Sequence, residues 1–401
     1  MSLATPSSTR TLTTLSVSIA ISGMLNGCGG EHWSRDAQAL SVDTVQGLIV
    51  VQNPREGQWK PSERWKVVEE FRWGDTSGVA GEGLVNDLTT VTFGPNGQVF
   101  VLEYSGQDIV VLDGNGEYLR RIARSGRGPG ELYHPTAMAW DGHARLWVAD
   151  RGNRRYQVFD SVGRHLKTVT RSINGANALQ HLLLIDSRGY LIDETARPDT
   201  AVLLALDTLG ASVDTLLRME KPQLSAAARS TVLRPSQRYA RLMSQYFFPR
   251  LRWSLAPDLS VWSANTGRLR LVQRALNGDT LRIVTTSHRT TELTRRDSRI
   301  IEKGLRETGL RREDVEVLRP VLDQVRVMDD GHVLVGIVEE VGRDARKFDV
   351  FDPEGVFLGT LDLGFSISER SVPAFVGDTI LAVTKGRQDI PIVVRARIIR
   401  G

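Results

Sequence analysis

Along most of the chain, short runs of alternating or wholly apolar residues are separated by Gly- and Asp-rich turns, the pattern of consecutive short β-strands. The turns recur with a period of 47 residues. Asp113-Gly114-Asn115-Gly116, Asp160-Ser161-Val162-Gly163 and Asp207-Thr208-Leu209-Gly210 keep that spacing, and Asp352-Pro353-Glu354-Gly355 repeats the form later. Upstream of these lies a second turn and strand, as in Pro95-Asn96-Gly97 before Val99 to Leu102, Asp141-Gly142 before Leu146 to Ala149, and Asp330-Gly331 before Val333 to Val335. Four short strands in each repeat of roughly 45 residues make the blade of a β-propeller, whose radial closure hides sheet edges. The fold class is therefore all-β, a six-bladed β-propeller with two helical insertions. Second-strand centres fall near Val101, Val148, Leu191, Trp262, Leu334 and Leu381. Only three strands fit after Ser371, so Trp65 to Trp73 is expected to return from the N-terminal side as the fourth strand of the last blade and close the ring.

Residues 220–248 and 289–319 break the period and read as helices. Tyr239, Leu242, Met243 and Tyr246 form a stripe in the first. In the second, Thr294 with Asp297 approximates a capping box ahead of Ile300, Ile301 and Leu305 at helical spacing. Each insertion lies between the outer strand of one blade and the inner strand of the next, and those connections share one face of a propeller. Scaffold-held loops on such a face are where binding groups concentrate.

Counting eight residues back from the first turn of each blade picks out one inner-strand position per blade. Thr89, His134, His181, Asp323 and Glu369 result, with Arg250 or Leu251 in the fourth blade. Neutral imidazole and carboxylate are suitable ligands for Zn²⁺ and similar ions, so His134, His181 and Asp323 are candidate metal ligands, and no cofactor is specified beyond that. A polar lining is also what any water-filled channel mouth requires. Without a metal, the ring together with Arg241, Arg250 and Arg252 suits an anionic or sugar ligand. Two readings stay open: a binding or scaffolding module, and a metal-dependent lyase or hydrolase with its site at the channel mouth.

Gly126-Arg127-Gly128-Pro129-Gly130 has the glycines of a phosphate loop, but a strand follows it and Pro129 removes a donor, so it reads as an interblade turn. The Asp turns read as hairpin turns rather than calcium loops. No Ser stands in a Gly-x-Ser-x-Gly context. Arg127-Gly128-Pro129-Gly130-Glu131 through Pro135, then Leu146-Trp147-Val148-Ala149-Asp150 and Arg155 to Asp160, resembles an NHL repeat. The resemblance covers one blade well and two more loosely. Val42 to Gly47 with Ile49 to Pro54 also resembles the lead-in of bacterial six-bladed propeller lipoproteins of unknown function. That likeness implies fold and location and no activity.

The first residues alter the picture of location. Residues 1–27 run from Arg10 through a short apolar stretch, Leu12 to Leu25, and reach Leu25-Asn26-Gly27-Cys28, which reads as a signal peptide. Cys28 is the one cysteine in the chain. The motif resembles the lipobox of bacterial lipoproteins, which implies cleavage before Cys28 and acylation of its thiol. At about 0.8 kcal/mol per buried methylene, the two or three chains implied would hold the protein on a membrane, its expected partner beside a protein or small-molecule ligand. Gly29 after the cysteine implies the outer membrane if the organism is Gram-negative, and the cell envelope in any case. Residues 28–62 then form the lipidated cysteine and a tether, and residues 63–401 the propeller.

Charge changes little in this reading. The chain carries a net +4, and losing residues 1–27 removes only Arg10 among its charges. The cations are scattered, with no run that would track phosphates, so nucleic acid is not an expected partner.

Overall fold

The computed structural model describes residues 39–74, 88–170, 183–185, 191–196, 199–207, 209, 211–223, 237–286, 292–368, 371–386 and 389–401. Cys28, His181 and Glu369 lie outside them. The strands in chain order begin with β1 (Ser41–Val45), β2 (Leu48–Asn53) and β3 (Lys66–Trp73). Blade 1 is β4 (Leu88–Phe93), β5 (Val99–Glu103), β6 (Asp108–Leu112) and β7 (Tyr118–Ile122); blade 2 is β8 (Pro135–Trp140), β9 (Leu146–Asp150), β10 (Arg155–Phe159) and β11 (His165–Thr170). Blade 3 holds β12 (Leu183–Ile185), β13 (Leu191–Ala196), β14 (Thr200–Leu206) and β15 (Ser212–Glu220). Helix α1 (Arg238–Tyr246) precedes blade 4, which is β16 (Leu251–Leu255), β17 (Val261–Asn265), β18 (Arg268–Arg274) and β19 (Thr280–Thr286). Helix α2 (Arg295–Thr308) precedes blade 5, made of β20 (Leu322–Val327), β21 (Val333–Ile337), β22 (Lys347–Phe351) and β23 (Phe357–Asp362). Blade 6 is β24 (Ala374–Val376), β25 (Thr379–Lys385) and β26 (Pro391–Ile399), completed by β3.

The six-bladed propeller is as the periodicity predicts, and its apolar core sits between blades rather than at one centre. Leu102, Ile109, Met138 and Val148 share the layer between blades 1 and 2; Trp262, Leu271, Val325 and Val335 share that between blades 4 and 5. This explains the sequence pattern. The second strands Val99–Glu103 and Val333–Ile337 are buried throughout because neighbouring blades cover both faces, whereas the outer strand Tyr118–Ile122 is mostly exposed and buries only Ile122.

Ring closure also follows the expectation. β3 pairs antiparallel with β26, from Trp73 opposite Val393 to Lys66 opposite Ile399. Trp65, just before β3, is buried in the layer between blades 5 and 6, its ring 5.3 Å from Trp59 and 5.0 Å from His332, with Arg400 4.5 Å over its face. A tryptophan from the N-terminal side is thus clamped by an arginine at the C-terminus.

The tether expected over residues 28–62 is a different object from Ser41 onward. β1 and β2 form a hairpin, and β2 runs parallel to β19, widening blade 4 to six strands. Val51 is fully buried there, and Asn53 Nδ2 donates to the Gly355 carbonyl at 2.9 Å while its Oδ1 accepts from the Phe357 amide at 2.7 Å. The Gln58 and Trp59 amides then bond the Phe357 and Leu358 carbonyls of β23. Residues 41–73 form a strap that laces the rims of blades 4, 5 and 6. The physical reason was in the sequence: Leu48–Asn53 after the Gly47 turn is a β-forming apolar run, and such a run buries itself against an open strand edge.

The two insertions pack on each other. Gly304 of α2 lies against Met243 of α1, the Ala240 amide donates to Glu307 at 2.8 Å, and Lys303 sits 4.6 Å above the Tyr239 ring. Met243, Phe247, Ile301, Val338 and Val341 form a small core that seats this helical cap on blade 5. The Thr294–Asp297 capping box is present in both directions. Among the described residues no helix is long and apolar enough to cross a membrane.

Candidate functional site

The inner strands of blades 1, 2 and 5 share a one-residue bulge, at Thr89, Thr136 and Asp323. These are the equivalent positions. Counting from the turn glycine therefore picks equivalent register positions in blades 1 and 5, Thr89 and Asp323, and falls two residues short of the equivalent position in blade 2. The cause is in the turn: the left-handed position filled by Gly97 and Gly331 in blades 1 and 5 is filled by Ala144 in blade 2, at φ 54°, while Gly142 lies two residues earlier. Thr136, buried and bonded through its carbonyl to the Thr90 hydroxyl at 3.4 Å, stands where His134 was expected.

His134 precedes β8 in a left-handed conformation, φ 51°, with its ring 4.3 Å from Tyr133 and 5.1 Å from Tyr104. Asp323 belongs to blade 5, where its Oδ2 accepts from the Ala345 amide at 3.0 Å and so holds the loop 338–346. Among the described residues no three His, Cys, Asp or Glu side chains come together as a metal centre. His134 and Asp323 are not brought into one. Arg241 is exposed on α1.

The structure gathers a different set. Arg250, Arg252, Thr266, Leu322 and Asp323 line a pocket of about 30 Å³, walled on the cap side by Gln245 and Tyr246 at the end of α1. That is room for one or two water-sized groups. Arg250 is held by its own backbone exchange with Thr266 and by an Nη2 bond to the Ser244 carbonyl at 3.1 Å. Arg326, three residues after Asp323 on β20, is buried outside the pocket lining and feels the charges of Arg252 and Asp323. Its Nη1 and Nη2 donate to the carbonyls of Val325 and Ser371, while Nε is buried without a hydrogen-bond partner. Burial pulls this guanidinium down to about 10, with Arg252 adding to the fall and Asp323 opposing it. Arg326 remains charged at neutral pH. Arg326 escaped the sequence reading because it stands inside an ordinary alternating strand, with no motif around it.

A second perturbed group stands at the blade 3–4 boundary. Burial pushes the Glu194 carboxyl up to about 7, against the pull of Lys221 and the Trp253 indole and with Asp193 adding to the rise. Asp193, on the opposite face of β13, accepts a short bond from the Tyr156 hydroxyl.

The NHL-like segment has a structural explanation. Arg155 pairs with buried Asp150 at 2.7 Å and donates to the carbonyls of Arg127, Gly128 and Glu131. The glycine loop is thus filled by a guanidinium, as an interblade turn. The Asp turns are hairpin devices as well: Oδ1 of Asp113, Asp160 and Asp207 each accepts the amides two and four residues on.

The chain is a β-propeller protein of six blades, and its structural relatives are bacterial propellers. A Bacteroides fragilis protein assigned as exported matches with a TM-score of 0.52 at 11% identity, over 88% of this chain and all of that one. Weaker likenesses include virginiamycin B lyase from Staphylococcus aureus, TM-score 0.42 at 9% identity over 84% of this chain and all of that one, and a gluconolactonase from Xanthomonas campestris, TM-score 0.43 at 12% identity over 91% and 99%. That degree of likeness carries no chemistry over. In sequence, human NHL repeat-containing protein 3 is 36% identical over 65 residues, 13% of this chain, and the match spans about a fifth of that protein's length. No protein-family profile matches the chain.

Proposed function

We propose that the protein is a propeller held at the cell envelope by lipid on Cys28, and that it binds a small anionic ligand at the channel mouth beneath the helical cap. The observation that carries the reading is the gathering of Arg250, Arg252 and Arg343 on a small pocket, with buried Arg326 near enough to feel the charge of Arg252, while the two carboxylates of the lining are engaged, Asp323 by the Ala345 amide and Asp344 by Lys385. Guanidinium groups brought together in a partly dry pocket repel each other, and a carboxylate or phosphate relieves that repulsion through charge-assisted hydrogen bonds. The anchor rests on the Leu-Asn-Gly-Cys motif after the apolar segment, and an envelope location agrees with the exported relative.

Calorimetric titration with inorganic phosphate and with simple carboxylates tests the pocket. Binding that weakens about tenfold or more in Arg252→Gln, or in Arg326→Gln, supports the reading, and undiminished binding in both refutes it. For the anchor, radiolabelled fatty acid should enter the wild type in cells and not Cys28→Ser.

A further inference from the structure

A larger space adjoins the small pocket and shares part of its wall. Between the loop 338–346 of blade 5 and the loops of blade 6 lies a cleft of about 720 Å³, and Gly342, Arg343 and Asp344 line both. That volume is ordinary for a small-molecule site. Its lining is charged, and those charges have partners within the lining or just outside it. Lys385 meets Asp344 at 2.9 Å, Lys347 meets Glu339 at 2.7 Å, and Arg346 meets Asp362 at 2.8 Å. Ser366 and Thr384 add hydroxyls, and Ile337 and Phe365 are the large apolar side chains among the described lining residues.

Such a wall discriminates by chemistry. An aliphatic or aromatic ligand body would take these charges out of water and give no hydrogen bonds back. An extended peptide would look for an open strand edge or for apolar side-chain pockets, and here the walls are loops and strand ends bearing paired charges. A body rich in hydroxyls satisfies both partners of each ion pair, because carboxylates accept from hydroxyls while ammonium and guanidinium groups donate to them. The cleft itself attracts neither sign of charge, so selection for an anion is left to the arginine pocket.

We infer that the ligand is an acidic saccharide of more than one ring, its carboxylate in the pocket at Arg250 and Arg252 and its further rings in the cleft between blades 5 and 6. This rests on the anion site proposed above. The test uses the full chain in detergent, titrated with glucuronic acid, with a trisaccharide ending in glucuronic acid, and with the neutral trisaccharide that ends in glucose. The three-ring acid should bind about tenfold or more tightly than the one-ring acid, with the neutral trisaccharide far weaker than either. Lys385→Ala should erase the gain from the added rings and leave affinity for the single ring unchanged; Arg346→Ala, at a side chain 55% exposed that lines the cleft and not the pocket, should do the same with little risk to folding. Equal affinity for the one-ring and three-ring acids, or a gain that survives both substitutions, overturns the inference while the anion site stands. Absence of binding by either acid removes the anion site and the inference with it.

Discussion

Blades 1 and 2 are each closed by their own sequence. Their four strands follow one another, their turns are held by local aspartates, and the junction between them is locked by Arg155 on Asp150 and the 127–131 backbone. Blades 4 to 6 depend on distant chain: the strap from residues 41 to 73 joins all three, and the cap from two insertions covers their junction. Both halves are the same architecture with similar burial. The difference shows that periodic sequence is enough to build a blade, and that departures from the period mark where the ring is fastened and where the cap sits.

The largest test of that contrast is Trp65→Ala. Losing a buried indole from the layer between blades 5 and 6 should cost about 3–5 kcal/mol and lower the melting temperature accordingly. A shift no larger than that of a turn mutant in blade 2 would mean that the strap fastens nothing. Gly304→Val comes next. A Cβ at Gly304 would stand 2.8 Å from the Met243 Cβ, so the substitution should prise α1 from α2, at a cost of up to about 3 kcal/mol, and weaken anion binding through Tyr246. Unchanged binding in a destabilised Gly304→Val would separate the cap from the pocket.

At the boundary between the halves, Glu194 gives a pH signature. Its carboxyl holds a proton up to about 7 in the folded chain and loses it near 4.5 when unfolded. Between those values the folded state binds more protons, so stability falls as pH rises from 4.5 through 7. Glu194→Gln should flatten that slope and be the more stable form at pH 8, by on the order of 1–2 kcal/mol in denaturant titrations. Equal slopes for the two proteins would show the carboxyl to be ordinary. The smallest effect belongs to the regular half: Asp160→Ala removes acceptors for the Val162 and Arg164 amides and should cost about 1 kcal/mol with anion affinity unchanged.

Much of the regular half was legible because one residue pattern serves one local purpose, as Asp113, Asp160 and Asp207 do. The fourth strand of blade 6 was legible for a negative reason, since three strands leave an edge that something must cover. The strap's first hairpin was not, because Leu48–Asn53 names no partner until blade 4 exists to offer β19. His134 was misplaced by a single substitution of Ala144 for a turn glycine. The arginine pocket drew on Arg250 and Arg252, which stood out, and on Arg326, which only the neighbouring blade reveals.

The strap also sets a timetable. Asn53 bonds a carbonyl 302 positions later, and Glu70 meets Arg397 327 positions later. Residues made early therefore wait for partners made much later, and the two bonds close loops of 302 and 327 residues. Until β26 is synthesised, β3 is an unpaired strand and the layer that takes Trp65 is open on one side. A chain cut short by its final strand would have lost little mass and its means of closing, leaving sheet edges exposed to other unfinished copies. Arg400 packs on Trp65 only once β26 and the residue after it have arrived, so that contact belongs to the last step of ring closure.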